Sequence, residues 1–442
     1  MHSQTSTHHL KDVMRIGMPL IGGHLGQFAI GLTDTIMMGR YSIEGLAALV
    51  LASSFFFVFF LVGSGFAWAV VPLVAAANDD AQTIRRVTRM ALWLSALFGL
   101  LCLPLFWWSA PLLEAIGQAP QVAQDAQTYL RITGPAILPA LGVMVLKSYL
   151  AALERTSVVF WITSLAVIVN ALVNYALIFG MWGAPELGIA GAAWASVSVQ
   201  LVSLLGVILY ARLVLPEHDL FRRLWRPDFD VMGKVVRLGV PIGLTSLSEV
   251  SLFAASAVLM GWLGTIPLAA HGIALQCATA TFMVHLGLSN AATIRAGQAF
   301  GRGDRTHLRL GARVAIAASI GIALVTVVLF VAFPEPLISL FLKPDEPNRA
   351  EVIAIGTVLL IMAALFQLAD GAQVMALGLL RGMQDTTIPM FMAAFSYWPI
   401  GLGSALLFGF VLDFGAVGVW AGLVTGLSCA ALMMMTRFWR RA

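Results

Sequence analysis

The sequence predicts an all-α polytopic membrane protein, with twelve transmembrane helices in two six-helix bundles related as parallel repeats. Three observations carry this. Of the 442 residues, 60% are hydrophobic and only 11% charged, whereas soluble domains carry about 25% charged residues. The apolar residues arrive in blocks of roughly 20–25, the length that crosses about 30 Å of hydrocarbon as a helix. The Pro/Gly punctuation of the first half also returns in the second: RIGMPL at 15–20 recurs as RLGVPI at 237–242.

The first segment, 14–38, follows the polar stretch MHSQTSTHHLKD. It is too long for a signal-peptide core, so a retained helix is expected. The second, 46–76, opens with LAAL and contains FFFVFF at 55–60 and Trp68; its length predicts tilt or overhang into water. The third, 88–112, follows Arg85, Arg86 and Arg89, and the fourth spans 127–150. The fifth, 158–181, carries Thr163, Asn170 and Asn174, and the sixth, 188–213, opens with GIAGAAWA.

The polar run LPEHDLFRRLWRPDFDVMGK at 215–234 then splits the chain near its midpoint. The seventh segment, 234–262, contains SLSEVSLFAASAV. The eighth, 268–299, is again long and holds His271, Met283 and His285; the ninth, 310–333, follows Arg302, Arg305 and Arg309. The tenth, 351–380, is long and includes LFQLADGAQV, and the eleventh spans 387–411. The twelfth, 416–436, begins within GAVGVWAG and leads into Arg437, Arg440 and Arg441. The expected domains are an N-lobe at 1–214, a cytoplasmic linker at 215–233 and a C-lobe at 234–442.

The repeat holds at spaced positions. At an offset of 222, Met38-Gly39 falls on Met260-Gly261 and Leu46-Ala47-Ala48 on Leu268-Ala269-Ala270; GIAGAAWA resembles GAVGVWAG at an offset of 227. Six spans per half make the repeats parallel, an arrangement common in secondary transporters. With the N-terminus in the cytoplasm, all of the 26 Lys and Arg except Arg40, Arg131, Lys343 and Arg349 fall on the cytoplasmic side, as the positive-inside rule requires. Both termini are therefore expected in the cytoplasm. The net charge of +4 reflects this loop bias and gives no reason to expect a nucleic-acid partner. Cys102, Cys277 and Cys429 stand alone in separate segments without metal spacing and read as packing residues.

Three acids interrupt the apolar segments: Asp34, Glu249 and Asp370. A charge at mid-bilayer costs on the order of 3 kcal/mol, so such residues usually face a bundle interior or a wet cavity. Glu249 lies 15 residues from both Lys234 and Gly264, close to the midplane at about 1.5 Å per residue. Thr245, Ser246 and Ser256 share its helix face, and Gln367 and Gln373 flank Asp370 in the same way. Asn170 and Asn174, one turn apart, are amides able to donate to a carboxylate or to coordinate a hard cation through oxygen. The sequence shows no basic residue at comparable depth. Carboxylates so placed suit a proton, Na⁺ or an organic cation, and competition among these is how an antiporter couples its fluxes. FFFVFF, Trp68, Met283 and Met375 suit a greasy, adaptable cavity or ordinary packing.

Taken together, these residues resemble the multidrug and toxic compound extrusion (MATE) family, in its NorM-like branch, over essentially the whole chain. The resemblance rests on Pro19, Asp34 and Gly39 followed by LAAL at 46–49, on Glu249, on ADGAQVMALGLLRGMQD at 369–385, and on Asn170 and Asn174. It implies export of hydrophobic, often cationic, compounds in exchange for Na⁺ or H⁺ by alternating access, with no cofactor. Glu249 and Asp370 would form the C-lobe cation site, where Na⁺ is the metal to expect, and Asp34, Asn170 and Asn174 the N-lobe one. One departure is Phe366, where some Na⁺-coupled members carry Tyr; the intact acid pair still inclines towards Na⁺. The expected setting is the plasma (inner) membrane, the expected state a monomer, and the expected partners small molecules and lipid.

A lipid-linked precursor flippase of the wider superfamily is the alternative, and the lack of a deep Lys or Arg counts against its anionic headgroup. An intramembrane enzyme would need a motif such as HExxH, GxSxG or a Walker loop, none of which occurs. His271 and His285 are expected to be buried and hydrogen-bonded. A channel would need a repeated acidic ring, but the acids are not repeated.

Overall fold

The computed structural model describes residues 6–345 and 347–442, and among these there is no strand. The first five residues of the polar N-terminal stretch lie outside the described residues. The helices are α1 (Ser6–Tyr41), α2 (Ile43–Ala75), α3 (Ala81–Trp107), α4 (Ser109–Ala115), α5 (Pro120–Ala152), α6 (Thr156–Phe179), α7 (Ile189–Val214), α8 (Phe229–Leu263), α9 (Thr265–Gly301), α10 (Arg305–Ala332), α11 (Pro334–Ser339), α12 (Arg349–Gly382), α13 (Thr387–Val411) and α14 (Gly415–Arg441). Eleven are both long enough and apolar enough to cross a bilayer. The twelfth span is α1, 36 residues long, in which Gly22, Gly23, His24, Gln27 and Asp34 dilute the hydropathy. Exposed Leu101, Trp161, Leu205, Val325 and Leu432 put apolar surface where a water-soluble protein could not keep it. The molecule is a multi-pass membrane protein.

Each helix of the first seven has its counterpart seven places on. Lengths match in order: 36 and 35 residues for α1 and α8, 27 and 28 for α3 and α10, 26 and 27 for α7 and α14. The short pair α4 and α11, which the apolar pattern conceals, repeats as well. Caps repeat too. Asp80 accepts from the Gln82 and Thr83 amides at the start of α3, and Asp304 from the His307 amide at the start of α10, each satisfying donors that the first turn leaves open. Packing follows suit, with α2 on α5 and α6 on α7 in one half, α9 on α12 and α13 on α14 in the other.

The compact units do not coincide with the expected lobe boundaries. One consists of residues 1–21 with 244–442, the other of residues 22–243. The leading helix of each repeat therefore divides, just after Pro19 in α1 and just after Pro241 in α8. Small residues explain the exchange. A Cβ on Gly65 of α2 would lie 2.2 Å from the Gly239 carbonyl oxygen of α8, and one on Gly287 of α9 would lie 2.7 Å from the Ile21 nitrogen of α1. The linker joins the 22–243 unit: Arg86 Nε donates to Asp228 at 2.5 Å, Arg89 to the Arg223 carbonyl at 3.2 Å and Trp93 to the Leu224 carbonyl at 2.6 Å.

Most of the aromatic run in α2 is packing. Phe55, Phe56 and Phe59 stack around Phe106 of α3, with centroids 5.5–6.1 Å away. Cys102 is buried in the same core, and Cys277 and Cys429 are half-buried thiols.

Candidate functional sites, one in each unit

In the 22–243 unit, α6 presents Thr163, Asn170 and Asn174 inward, each at most 2% exposed. Asn170 and Asn174 sit one turn apart, so both amides reach the same atom: Asp34 Oδ1 accepts from Asn170 Nδ2 at 2.8 Å and from Asn174 Nδ2 at 2.6 Å. This is the grouping expected from the sequence. The amide oxygens of both asparagines accept no hydrogen bond among the described residues. Below the trio, Lys147 of α5 donates to Thr163 Oγ1 at 2.8 Å.

In the other unit, Glu249 of α8 and Asp370 of α12 lie within electrostatic reach of each other. Asp370 is 1% exposed, and Gln373 and Tyr397 are fully buried. Glu249 Oε1, Asp370 Oδ1 and Gln373 Oε1 are buried and accept no hydrogen bond among the described residues. The Gln373 amide is spent on Tyr397 Oη, at 2.5 Å. What remains is a set of oxygen acceptors without donors. Oxygen donors of this kind suit a hard cation, and the carboxyls can instead take a proton.

Tyr397 was not foreseen. It sits at the start of a widened, π-helical stretch, Ser396–Leu402, that accommodates Pro399 within α13; such widenings recur at functional positions. Its ring is within electrostatic reach of Glu249 and Asp370. Phe366 itself packs against Phe253 and Trp420, with centroids 5.9 and 5.6 Å away.

One sequence expectation needs correction. The acids are not wholly without cations. Arg381, eleven residues beyond Asp370 on α12 and so on the same helix face, is close enough for its charge to act on Glu249. Lys147 is likewise an amine bonded between helices. Arg381 lies in the last turn of α12, where the sequence reads it as a helix-end charge. Gln367, on the Asp370 face of α12, donates its amide to the Ala278 carbonyl of α9 at 3.0 Å, while its Oε1 is buried and accepts no hydrogen bond among the described residues. Thr245 and Ser246 are buried on the α8 face that carries Glu249.

The histidines serve as packing groups with partners. His271 accepts from Trp420 Nε1 at 3.1 Å, and His285 Nδ1 lies 3.2 Å from Ser319 Oγ. The motif LRGxxD divides its work: Arg381 faces the acids, while Asp385 receives Arg437 at 2.7 and 3.2 Å and Arg441 at 2.5 Å, fastening the end of α14.

Comparison with known proteins agrees with this geometry. The MatE family model matches residues 19–176 and 241–407, one stretch in each repeat. A probable multidrug resistance protein NorM from Rhizobium meliloti is 46% identical over 98% of this chain and 93% of its own length. Another from Pseudomonas aeruginosa is 37% identical over 100% of this chain and 91% of its own. Among solved structures, a MATE in complex with MaL6 superposes with a TM-score of 0.90 at 20% identity, covering 98% of this chain and 96% of that one. A eukaryotic MATE transporter gives 0.85 at 19% identity, with coverage of 98% and 96%. The doubled helical architecture, the two acid sites and a match spanning both halves together make this chain a member of the MatE family.

Proposed function

We propose that the chain is a secondary active multidrug efflux antiporter of the plasma (inner) membrane. It exports hydrophobic, mostly cationic compounds in exchange for Na⁺ or H⁺. The observation that carries this reading is the donor-free set of buried oxygens at Glu249, Asp370 and Gln373. A buried negative charge is costly, and an arriving cation or proton offsets that cost beyond what Arg381 supplies at Glu249. A coupling ion and a cationic substrate seek the same negative charge, and binding one displaces the other. A ligand drives alternating access only through different affinity for the two states, and a carboxyl whose surroundings change between them provides that difference. Asp34 with Asn170 and Asn174 offers the 22–243 unit a second place for a cation. The relatives' names, as multidrug resistance proteins, support the substrate class. The chain acts as a carrier, not an enzyme. It works as a monomer without a cofactor, and both termini face the cytoplasm.

The test is ethidium efflux from proteoliposomes under separate Na⁺ and pH gradients. Glu249→Gln or Asp370→Asn is expected to abolish gradient-driven efflux in a folded protein. Wild-type efflux in either variant would overturn the assignment. The experiment also names the coupling ion, since only one of the two gradients should sustain export.

A further inference from the structure

Arg89 of α3 is a buried cation that the export chemistry does not use. It is 8% exposed and makes no ion pair among the described residues. Its Nη1 donates to the Arg223 carbonyl at 3.2 Å, while its Nε is buried without an acceptor among the described residues. Its neighbours add to the cost. Arg85, Arg86 and Arg226 lie within electrostatic reach, together with the Asp228 carboxylate, which already pairs with Arg86 at 2.5 Å. Asp80 and Asp230 act on Arg86, and Asp80 also caps α3 through the Gln82 and Thr83 amides. A guanidinium drawn largely out of water is costly without a counter-charge, and like charges beside it raise that cost.

Arg85 and Arg226 have nothing else to hold. Arg85 is half-buried and Arg226 exposed, and neither side chain makes a hydrogen bond or ion pair among the described residues. Arg85 lies one turn before Arg89 and shares its helix face. Arg226 arrives from the linker, its amide bonded to the same Arg223 carbonyl that receives Arg89. The depth of this cluster follows from α3. Arg89 is the last charge before the run 90–107, which carries none, so it marks the level at which headgroups give way to hydrocarbon. The linker is held at that level: Trp93 donates to the Leu224 carbonyl at 2.6 Å, and the Asp228 amide lies 3.2 Å from Met90 Sδ. Trp225 and Phe229, which flank Arg226 in the chain, are both 75% exposed. Large rings are out of place in water but suited to a membrane interface.

We propose that the junction of α3 and the linker binds an anionic phospholipid, its phosphate held by Arg85 and Arg226 over the charge of Arg89 and its glycerol and upper acyl chains lying against Trp225 and Phe229. A zwitterionic headgroup brings its own ammonium into a cluster already rich in guanidinium groups, so the anionic lipid is preferred. A free phosphate satisfies the arginines but leaves both rings bare. The bound lipid fastens the linker to the membrane surface. None of Asp34, Glu249 and Asp370 takes part, so the site does not depend on export. Only the choice of the inner leaflet rests on the proposed cytoplasmic position of the linker.

The test titrates the full chain, purified in detergent, with dioleoylphosphatidylglycerol or dioleoylphosphatidylcholine and counts bound lipid by native mass spectrometry. The wild type is expected to bind the anionic lipid at least about tenfold more tightly. Arg85→Gln combined with Arg226→Gln should weaken that lipid about tenfold and change the zwitterionic one less than about twofold, which also shows that the variant is folded. Should the pair not fold, Arg226→Gln alone is expected to cost about fivefold, confined to the anionic lipid. Trp225→Ala should weaken both lipids alike. Arg305→Gln combined with Arg309→Gln, an exposed pair on α10 without ion pairs among the described residues, should keep the preference. No preference in the wild type, an unchanged preference in the Arg85 and Arg226 variants, or an equal loss in the α10 pair would overturn the site. Displacement of the lipid by millimolar inorganic phosphate would overturn the lipid as its occupant. Glu249→Gln should leave the preference intact, so a failure of the export reading does not touch this one.

Discussion

Asp34 receives two amide hydrogens on one oxygen, Oδ1, and its Oδ2 has no hydrogen bond among the described residues. One half of the carboxylate is therefore fixed in place and the other is available. Hydrogen bonds to a charged group contribute about 1.5–3 kcal/mol each. Asn174→Ala should cost stability of that order and loosen Asp34, seen as a lower Tm together with weaker binding of cationic dye. Tyr397 makes the complementary case. Tyr397→Phe keeps the ring but deletes the hydroxyl that now engages the Gln373 amide. If the phenol helps to fix the acid site, the variant should need about tenfold more coupling cation for half-maximal efflux, a cost of about 1.4 kcal/mol, while remaining folded. The acids were legible in the sequence because a carboxylate among apolar residues has few explanations. Tyr397 was not, because an aromatic residue within an apolar segment looks like packing. Only the turn of α13 at Pro399 shows which way it faces.

At the scale of elements, the linker is a docked segment with several attachments. Besides the contacts made by Arg86, Arg89 and Trp93, His218 Nδ1 lies 2.6 Å from Tyr149 Oη of α5. Burial lowers the His218 pKa from its ordinary 6.5; Glu217 and Asp79 pull it back up, and Arg85 adds to the lowering. A histidine whose folded pKa is depressed favours the folded state above its ordinary value. That contribution fades as pH falls below about 6.5, because the undocked form takes up the proton more readily. The Arg86 bond holds the Asp228 carboxyl below its usual range, so Asp228 stays charged throughout this window. Protection of the amides over residues 215–228, taken relative to the intrinsic exchange rate at each pH, should fall as pH drops from about 6.5 to 5, and His218→Gln should remove that dependence. The polar composition of 215–234 announced a linker but not its docking, since the partners on α3 and α5 lie more than 60 residues away in sequence. Helix lengths and order, by contrast, were legible almost throughout, because lipid imposes a length on every apolar segment.

At the scale of the whole molecule, the internal repeat and the division into units belong together. Gly65 and Gly287 occupy equivalent places at the offset of 222 residues, and so do Gly17 and Gly239, and Ile21 and Gly243. Gly65 meets Gly239 and Gly243, and Gly287 meets Ile21. The same close helix crossing is therefore built twice, and each copy brings the first half of a leading helix into a unit made mainly of the other repeat. Asp12 of α1, paired with Arg295 of α9 at 3.1 Å, adds an ionic tie to one of them. The sequence shows both glycines but not what they touch. Small residues let helix backbones approach within a membrane, and a methyl group 2.2 Å from a carbonyl oxygen has nowhere to go. Gly65→Ala and Gly287→Ala should each destabilise by about 1–3 kcal/mol or more, the usual cost of overpacking. Gly272→Ala and Gly321→Ala, where a Cβ meets nothing within 4 Å, should be neutral or slightly stabilising, as expected for alanine replacing glycine in a helix. Thermal unfolding of the four detergent-solubilised variants checks this directly. If Gly65→Ala and Gly287→Ala melted with the controls, the paired crossings would not be what holds the divided helices in their units.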